Sequence, residues 1–245
     1  MTDTSKRTSA ATKSAAAVMP GPAEAAAAVL GVAQAAAVGE VEVLEAVAER
    51  IAEAVVGGGR IFAIGAGHAQ IFAMELFNRA GGLRAFVEMN LEDLRPDKRP
   101  ASVQLHDSLP ERDPANGALL LQHYSVTQAD VVLIASNSGR NGAIVELALE
   151  CSRRGIYTAA FTARAHSTAV ESRHPSGRRL LEITNAVVDN HCPLGDATVE
   201  IDGIGRVCAA STVSFALLAQ MLSLAVIGGL ARRGLPVQAI VSANV

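Results

Sequence analysis

The stretch Val131-Val132-Leu133-Ile134-Ala135, followed directly by Ser136-Asn137-Ser138-Gly139-Arg140-Asn141, decides the fold of this chain. Five consecutive apolar residues ahead of a polar turn and a helical pattern are typical of a buried parallel strand that leads into a helix. Small hydroxyl residues and a glycine let backbone N–H groups approach a ligand, and a helix N-terminus adds partial positive charge. The stretch therefore predicts a cradle for an anionic group such as phosphate.

A plainer alternative is that Ser138 or Asn141 caps the following helix. Serine and asparagine are common helix caps, so an isolated motif of this kind would favour that alternative. A buried strand before the motif and two companion loops elsewhere in the chain favour the phosphate cradle instead.

Composition limits the classes of protein that this chain can be. It has 245 residues, half of them apolar, which is enough for a sizeable core in one α/β domain. The net charge of −3, with no Trp and only two Tyr, provides neither a basic surface nor a stacking platform, so nucleic acid is not expected as a partner. Three widely spaced cysteines indicate a reducing, cytoplasmic compartment.

The longest apolar stretch, Phe215 to Ala231, is shorter than the ~20 residues that a membrane span needs. It also contains Gln220 and Ser223. We expect a buried helix or a subunit interface there, no membrane partner, and no secretory signal at the N-terminus.

The chain divides into a tail and one domain. Residues 1–22 are rich in Ser, Thr, Lys and Ala, which predicts a disordered N-terminal tail, and residues 23–245 are predicted to form a single domain. Ala23 to Val56 reads as one long helix, or as two that are broken near Gly39.

Alternating strand and helix patterns then predict a mostly parallel, doubly wound α/β sheet of five strands. The predicted strands are Arg60–Ile64, Arg84–Met89, Asp130–Ala135, Ile156–Phe161 and Ala186–Asp189, and the predicted helices are His68–Arg79, Gly142–Arg153 and Ala209–Arg233. Two segments, 90–128 and 162–179, read as irregular and polar, and the first is long enough to carry function.

Ligands of such sheets lie beyond the carboxyl ends of the strands. The loops Gly65–Ala69, Ser136–Asn141 and Thr162–His166 all follow predicted strands, so they are expected to face one crevice. The Gly65-Ala66-Gly67 turn also begins a dinucleotide fingerprint, but Gln70 replaces its third glycine. A smaller substrate and no cofactor are therefore expected.

Candidate catalytic residues lie close to that glycine turn. Glu75 is on an apolar helix, where a carboxylate can act as a base, although it could equally pair with Arg79 one helical turn later. His68, at the start of that helix, and His174, in the irregular segment, could each move a proton near neutral pH. The histidines form no ligand-spaced cluster, so no metal site is expected.

Together these motifs resemble the sugar isomerase (SIS) domain family, and in particular its stand-alone members related to phosphoheptose isomerases. The matching segments run from about Val41 to the C-terminus and are Gly65–Ala69, Glu75–Gly82, Ser136–Asn141, Ser172–Gly177, and Asp189-Asn190 through Gly195–Ala197. The resemblance implies a three-layer sandwich, a homodimer or homotetramer, and a sugar phosphate partner.

The resemblance also assigns roles to residues. It implies that Gly65, Gly67, the residues Ser136, Asn137, Ser138, Gly139, Arg140 and Asn141, and Thr162 bind the phosphosugar, and that Glu75 matches the catalytic glutamate of phosphoheptose isomerases. Ile71 replaces the histidine expected one turn earlier, so zinc-assisted chemistry is not implied.

Three functions fit this pattern. The first is an aldose–ketose isomerase acting on a phosphorylated sugar, with Glu75 as base and His68 or His174 acting on the oxygens. The second is a non-catalytic phosphosugar sensor, and the third is a lyase acting on an amino-sugar phosphate.

Overall fold

The computed structural model describes residues 19–94, 110–242 and 244. Residues 1–18, most of the predicted tail, lie outside the described residues, as do residues 95–109 of the long polar segment.

A five-stranded parallel sheet forms the centre of the molecule, as the sequence predicts. Its strands are β1 (Ile61–Gly65), β2 (Phe86–Glu88), β3 (Val131–Ala135), β4 (Tyr157–Thr162) and β5 (Ala186–Asp189), in the order β2-β1-β3-β4-β5. The register aligns Gly65 with Ala135, and Ala135 in turn with Phe161. The strand order reverses between β1 and β3, and in open α/β sheets such a reversal opens a crevice at the carboxyl ends of the strands.

Helices cover both faces of this sheet and give three layers. They are α1 (Pro22–Gly39), α2 (Val41–Val56), α3 (Ile71–Leu76), α4 (Ala115–His123), α5 (Gly142–Arg153), α6 (Arg164–Thr168) and α7 (Ser211–Arg232). Alternate strand residues face opposite layers: Ile61 and Leu133 pack with α2, α3 and α7, whereas Phe62 and Ile134 pack with α4 and α5. The doubly wound α/β architecture is thus confirmed.

Several boundaries differ from the prediction. The helix predicted over His68–Arg79 is a 3₁₀ turn, Gly67–Gln70, followed by the short α3, and Asn78 adopts a positive φ of 46° just beyond it. Helix α4 lies in the segment predicted to be irregular, and α6 lies in the second such segment. An antiparallel hairpin that the sequence did not predict, β6 (Ala197–Ile201) and β7 (Gly205–Ala209), precedes α7.

Helices α1 and α7 are long and apolar enough to cross a membrane by length and composition alone. Half of the apolar window in α7 is buried inside the protein, where the helix packs against α1, α2 and α3. This burial is what the core helix of a soluble protein shows, so α7 is read as a core element.

Candidate functional site

The glycine turn after β1 lies directly beside the end of β3. The Ala66 N–H donates to the Ala135 carbonyl oxygen at 3.0 Å, which joins the two strand ends at the point where the strand order reverses. A side chain at Gly65 would meet the Ala69 backbone at 2.2 Å, so only glycine allows so tight a turn.

Gln70 occupies the place where a dinucleotide-binding turn would have its third glycine. Its Oε1 accepts the Gly65 N–H at 2.8 Å, and its Nε2 donates to Glu88 Oε1 at 2.7 Å and to the Met89 carbonyl at 3.1 Å. The Glu88 carboxylate, which a dinucleotide site would use on a ribose, is thus engaged by the protein itself.

The serine-rich loop, residues 136–141, is hydrogen-bonded to the neighbouring strand β4. The Ser136 N–H donates to the Phe161 carbonyl at 2.9 Å, and the Thr162 hydroxyl donates to the Asn137 carbonyl at 3.2 Å. Gly139 has a φ of 59°, and a side chain there would contact Ser167 and Thr162 at 3.2 and 3.3 Å. Thr162, predicted to bind the ligand, therefore supports the loop with its hydroxyl.

Several donors of this loop remain available for an anion. Among the described residues, no acceptor is found for the N–H groups of Ser138, Arg140 and Asn141 or for the Ser138 hydroxyl. The first N–H of α5 that has a helical partner is that of Val145, which donates to the Asn141 carbonyl. The N–H groups of the first helical turn lie at the carboxyl end of β3, which is the geometry of an anion site.

Asn141 stands at the N-cap position of α5 but does not cap the helix with its side chain. Its Nδ2 donates to Glu111 Oε1 at 2.8 Å, and its Oδ1 accepts from Arg173 Nη1 at 3.0 Å. The capping alternative is therefore wrong for Asn141, whose side chain links two distant segments instead.

Glu111 is the residue that the sequence interpretation missed. It lies in a 3₁₀ turn, Pro110–Arg112, and its Oε2 would be 3.5 Å from a Cβ at Gly67, while its Oε1 binds Asn141. The carboxylate thus lies between the glycine turn and the serine-rich loop. Burial raises the pKa of Glu111 above its ordinary value, and the Arg112 and Arg173 guanidiniums and the Asn141 hydrogen bond only partly oppose this shift.

The two predicted histidines differ in their surroundings. His174 is nearly buried, with Nε2 at 2.8 Å from Glu146 Oε2 and Nδ1 accepting the Ser176 N–H at 3.1 Å. Since Nδ1 accepts, Nε2 carries the proton and donates to Glu146. His68 is exposed, immediately after Gly67 on the glycine turn. Of the two, only His68 has a ring without a hydrogen-bond partner among the residues that the structure describes.

Glu75 lies on α3 and faces α7. Its Oε2 is 2.9 Å from Arg79 Nε and accepts from Gln220 Nε2 at 2.8 Å. The pairing with Arg79 that was the alternative interpretation is therefore present, and the catalytic role of Glu75 stays a prediction. No group of three or more His, Cys, Asp or Glu side chains suited to a metal ion occurs in the described part of the chain.

A three-layer α/β sandwich with a serine-rich loop where its strand order reverses defines the class of fold to which this chain belongs. The SIS domain model matches residues 26–163, so the chain belongs to the SIS domain family. A UPF0309 protein of Halalkalibacterium halodurans is 36% identical over 200 residues, covering 81% of each chain. A UPF0309 protein of Streptomyces coelicolor is 32% identical, covering 84% of this chain and 82% of its own.

Solved structures show the same fold at low identity. The Vibrio vulnificus NanR protein complexed with ManNAc-6P has a TM-score of 0.52 and 15% identity, covering 86% of this chain and 66% of its own. Phosphoheptose isomerase GmhA from Neisseria gonorrhoeae has a TM-score of 0.50 and 18% identity, covering 83% and 95%. These likenesses confirm the fold that the sequence motifs predict.

Proposed function

We propose that this protein binds a phosphorylated sugar in the crevice between the glycine turn, residues 65–67, and the serine-rich loop, and isomerises it. The observation that carries the proposal is the set of N–H groups at Ser138, Arg140 and Asn141 that find no acceptor in the described part of the chain, beside the start of α5 and at the reversal of strand order. A phosphate would accept charge-assisted hydrogen bonds from these groups, each contributing about 1.5–3 kcal/mol.

The likeness to two solved proteins supports this ligand class. One is complexed with the sugar phosphate ManNAc-6P and the other is a phosphoheptose isomerase. Both share the fold of this chain, in which the crevice lies at the carboxyl ends of β1 and β3.

Aldose–ketose isomerisation requires a base that removes a proton beside a carbonyl and returns it to the neighbouring carbon. We assign this role to Glu111, because its carboxylate lies between the two loops and its pKa is raised by burial. Glu75, which the resemblance implies, is the alternative, and its carboxylate is bound to Arg79 and Gln220. His68, exposed on the glycine turn, is placed to act on the sugar oxygens.

The binding step is tested by thermal shift with a panel of sugar phosphates and the same sugars without phosphate. We expect stabilisation by at least one phosphorylated sugar and weaker or no stabilisation by its unphosphorylated form. Ser138→Ala removes a loop hydroxyl that donates to none of the described residues, and it should weaken binding about tenfold or more. Indifference of the protein to every sugar phosphate would overturn the proposal.

The chemical step is tested by following deuterium uptake from D₂O into a bound sugar phosphate by NMR. Glu111→Gln should abolish uptake while leaving binding within a few-fold of wild type, whereas Glu75→Gln should retain uptake. The reverse result transfers the role to Glu75. Binding without any exchange in the wild-type protein would favour the phosphosugar sensor, which needs no base.

The protein is also proposed to act in the cytoplasm as a homodimer or homotetramer. Helix α1 is apolar, yet only Ala33 and Ala36 in it are buried, while Leu30 and Val38 are 60% and 74% exposed. A second copy of the chain that covers this helix would remove that surface from water. Light scattering at micromolar concentration should report twice or four times the chain mass, and a monomer would reject the assembly.

A further inference from the structure

Three arginines converge on the edge of the serine-rich loop. Arg140 belongs to the loop, and its carbonyl accepts the Arg173 N–H at 2.9 Å. The Arg173 side chain reaches Asn141 at 3.0 Å. Arg112 follows Glu111, which binds the same asparagine, and the Arg112 carbonyl lies 2.4 Å from where a Cβ of Gly142 would be. Arg140 is next to Asn141 in the chain, Arg173 donates to the Asn141 side chain, and Arg112 is next to Glu111, which accepts from that side chain. The three arginines are therefore grouped around Asn141.

The guanidinium groups of this arginine cluster have few partners. The Nε atoms of Arg112 and Arg140 are buried and have no hydrogen-bond partner among the described residues, and within the same residues neither side chain forms an ion pair. Arg173 donates one hydrogen bond, to a neutral amide oxygen. The two buried Nε–H groups without acceptors are costly, so their placement is not explained by stability.

The charges of the cluster also repel one another. Burial lowers the pKa of Arg173, and the nearby Arg140 and Arg112 guanidiniums lower it further, while Glu111 acts in the opposite direction. The charges of Arg112 and Arg173 act on the Glu111 carboxylate, which already accepts a hydrogen bond from Asn141, and Arg140 adds a third positive charge beside Arg173. A group with two negative charges would balance the cluster and supply the missing acceptors.

We propose that Arg112, Arg140 and Arg173 form an oxyanion-binding subsite beside the serine-rich loop. The oxyanion is either the sugar phosphate itself, held jointly by loop and cluster, or a second acidic group on the same sugar. Only the identity of this ligand rests on the proposed function. The subsite itself rests on the grouping of the three arginines around Asn141 and on the buried Nε atoms of Arg112 and Arg140, which have no partner among the described residues.

The test uses the full-length protein, with inorganic phosphate as the first probe. Isothermal titration and thermal shift are run on wild type, Arg112→Gln and Arg173→Gln, with Arg84→Gln as the control. Arg84 is an exposed arginine just before β2, at the opposite end of the sheet, so its substitution removes the same charge far from the subsite. We expect phosphate to bind at least tenfold more weakly to both cluster variants and with wild-type affinity to the control.

A merely structural role is distinguished by the melting temperature of the protein without phosphate. Because each substitution relieves repulsion, the melting temperatures of the cluster variants should equal or exceed that of wild type, while stabilisation by phosphate is lost. Phosphate affinities within twofold of wild type in both variants would overturn the inference. A lowered melting temperature with unchanged phosphate affinity would overturn it as well.

Two sugar probes separate the sources of the oxyanion. If the cluster holds a second acidic group, wild type should bind 6-phosphogluconate at least tenfold more tightly than glucose 6-phosphate, and the cluster variants should lose that preference. If the cluster holds the phosphate, the variants should bind 6-phosphogluconate and glucose 6-phosphate more weakly by the same factor. Unchanged affinity for both 6-phosphogluconate and glucose 6-phosphate in the two variants would overturn the subsite and leave the proposed function intact. Binding of inorganic phosphate that depends on the arginines, without binding of any sugar phosphate, would support the subsite and overturn the proposed function.

Discussion

The two ends of the sheet differ in whether their buried charged groups have hydrogen-bond partners. At the amino end, Asp130 is 2% exposed, and its carboxylate accepts from the Arg60 backbone and guanidinium and from the Thr127 N–H, at 2.7, 2.9 and 2.8 Å. The same guanidinium also donates to the carbonyls of Tyr124 and Ser125. At the carboxyl end, Arg112 and Arg140 have buried Nε atoms without a partner among the described residues.

Under the proposed function, this difference separates residues that stabilise the fold from residues that are kept for a ligand. The hydrogen-bonded network around Asp130 stabilises the amino end of the sheet. The buried Nε groups at the carboxyl end, which have no partner among the described residues, cost stability in the free protein. Burial alone would raise the pKa of Asp130, but the hydrogen bonds from Arg60 and Thr127 outweigh it and hold the pKa below its usual value. At the carboxyl end, burial outweighs the Arg112 and Arg173 charges and the Asn141 hydrogen bond, so the pKa of Glu111 is raised.

The largest effect should come from Asp130→Ala, which removes the shared acceptor of the amino end. We expect the free energy of unfolding to fall by about 3 kcal/mol, because the Thr127 and Arg60 N–H groups lose their partner. Denaturant unfolding measures this, with Asp202→Ala on the exposed β6–β7 turn as a control that should change it by less than about 0.5 kcal/mol. A loss below about 1 kcal/mol for Asp130→Ala would remove the contrast between the two ends.

Gly139→Ala should have the next largest effect, at the carboxyl end. Its φ of 59° strains any side chain, and the added methyl would meet Leu180, Ser167 and Thr162 at 3.2–3.3 Å. We expect a loss of about 2 kcal/mol together with weaker phosphate binding. Gly58→Ala is the matched control, because Gly58 also has a positive φ but no atom within 4 Å of the added methyl. Equal losses in the two variants would show that the packing around Gly139 is not tight.

Glu111→Gln should have the smallest effect on stability, visible as a change in pH dependence. Because burial raises the pKa of Glu111 above 4.5, the folded protein holds this proton more tightly than the unfolded chain does. Its contribution to stability is therefore present at low pH and is lost as the pH rises through the folded-state pKa. Relative to wild type, the glutamine variant should gain melting temperature between pH 4 and pH 8, and a constant difference would contradict the raised pKa.

Much of the fold could be predicted because it is encoded locally. Helix α5 has the predicted bounds because Gly142 follows a polar loop and the pattern continues to Arg153, and β5 has its predicted bounds for a similar reason. Helix α4 was missed because the prolines around it suggested an irregular segment, although it buries Leu120 and Leu121 against α5. The hairpin β6–β7 was missed because its strands have only five residues each, and β7 shows no apolar alternation.

The site was predictable only in part. The serine-rich loop and the glycine turn follow strands directly, so their proximity could be inferred from the topology. Glu111, Arg112 and Arg173 reach the crevice through tertiary contacts with Asn141 and Gly142, across at least 30 residues, and no local pattern reports such contacts. The loop itself could be read from sequence, but its charged neighbours could not.

The backbone bonds from Arg173 to Arg140 and from Leu180 to Gly139, at 2.9 and 2.8 Å, brace the serine-rich loop with a second segment of chain. Since these bonds are made by the chain itself, the proposed capture of an oxyanion should require no rearrangement of the serine-rich loop. Guanidiniums at the entrance would attract a negatively charged ligand over several ångströms, so the association rate constant should fall steeply with ionic strength while the dissociation rate constant changes little. Stopped-flow measurements at low and high salt would then show that the association rate constant is limited by diffusion rather than by a conformational change.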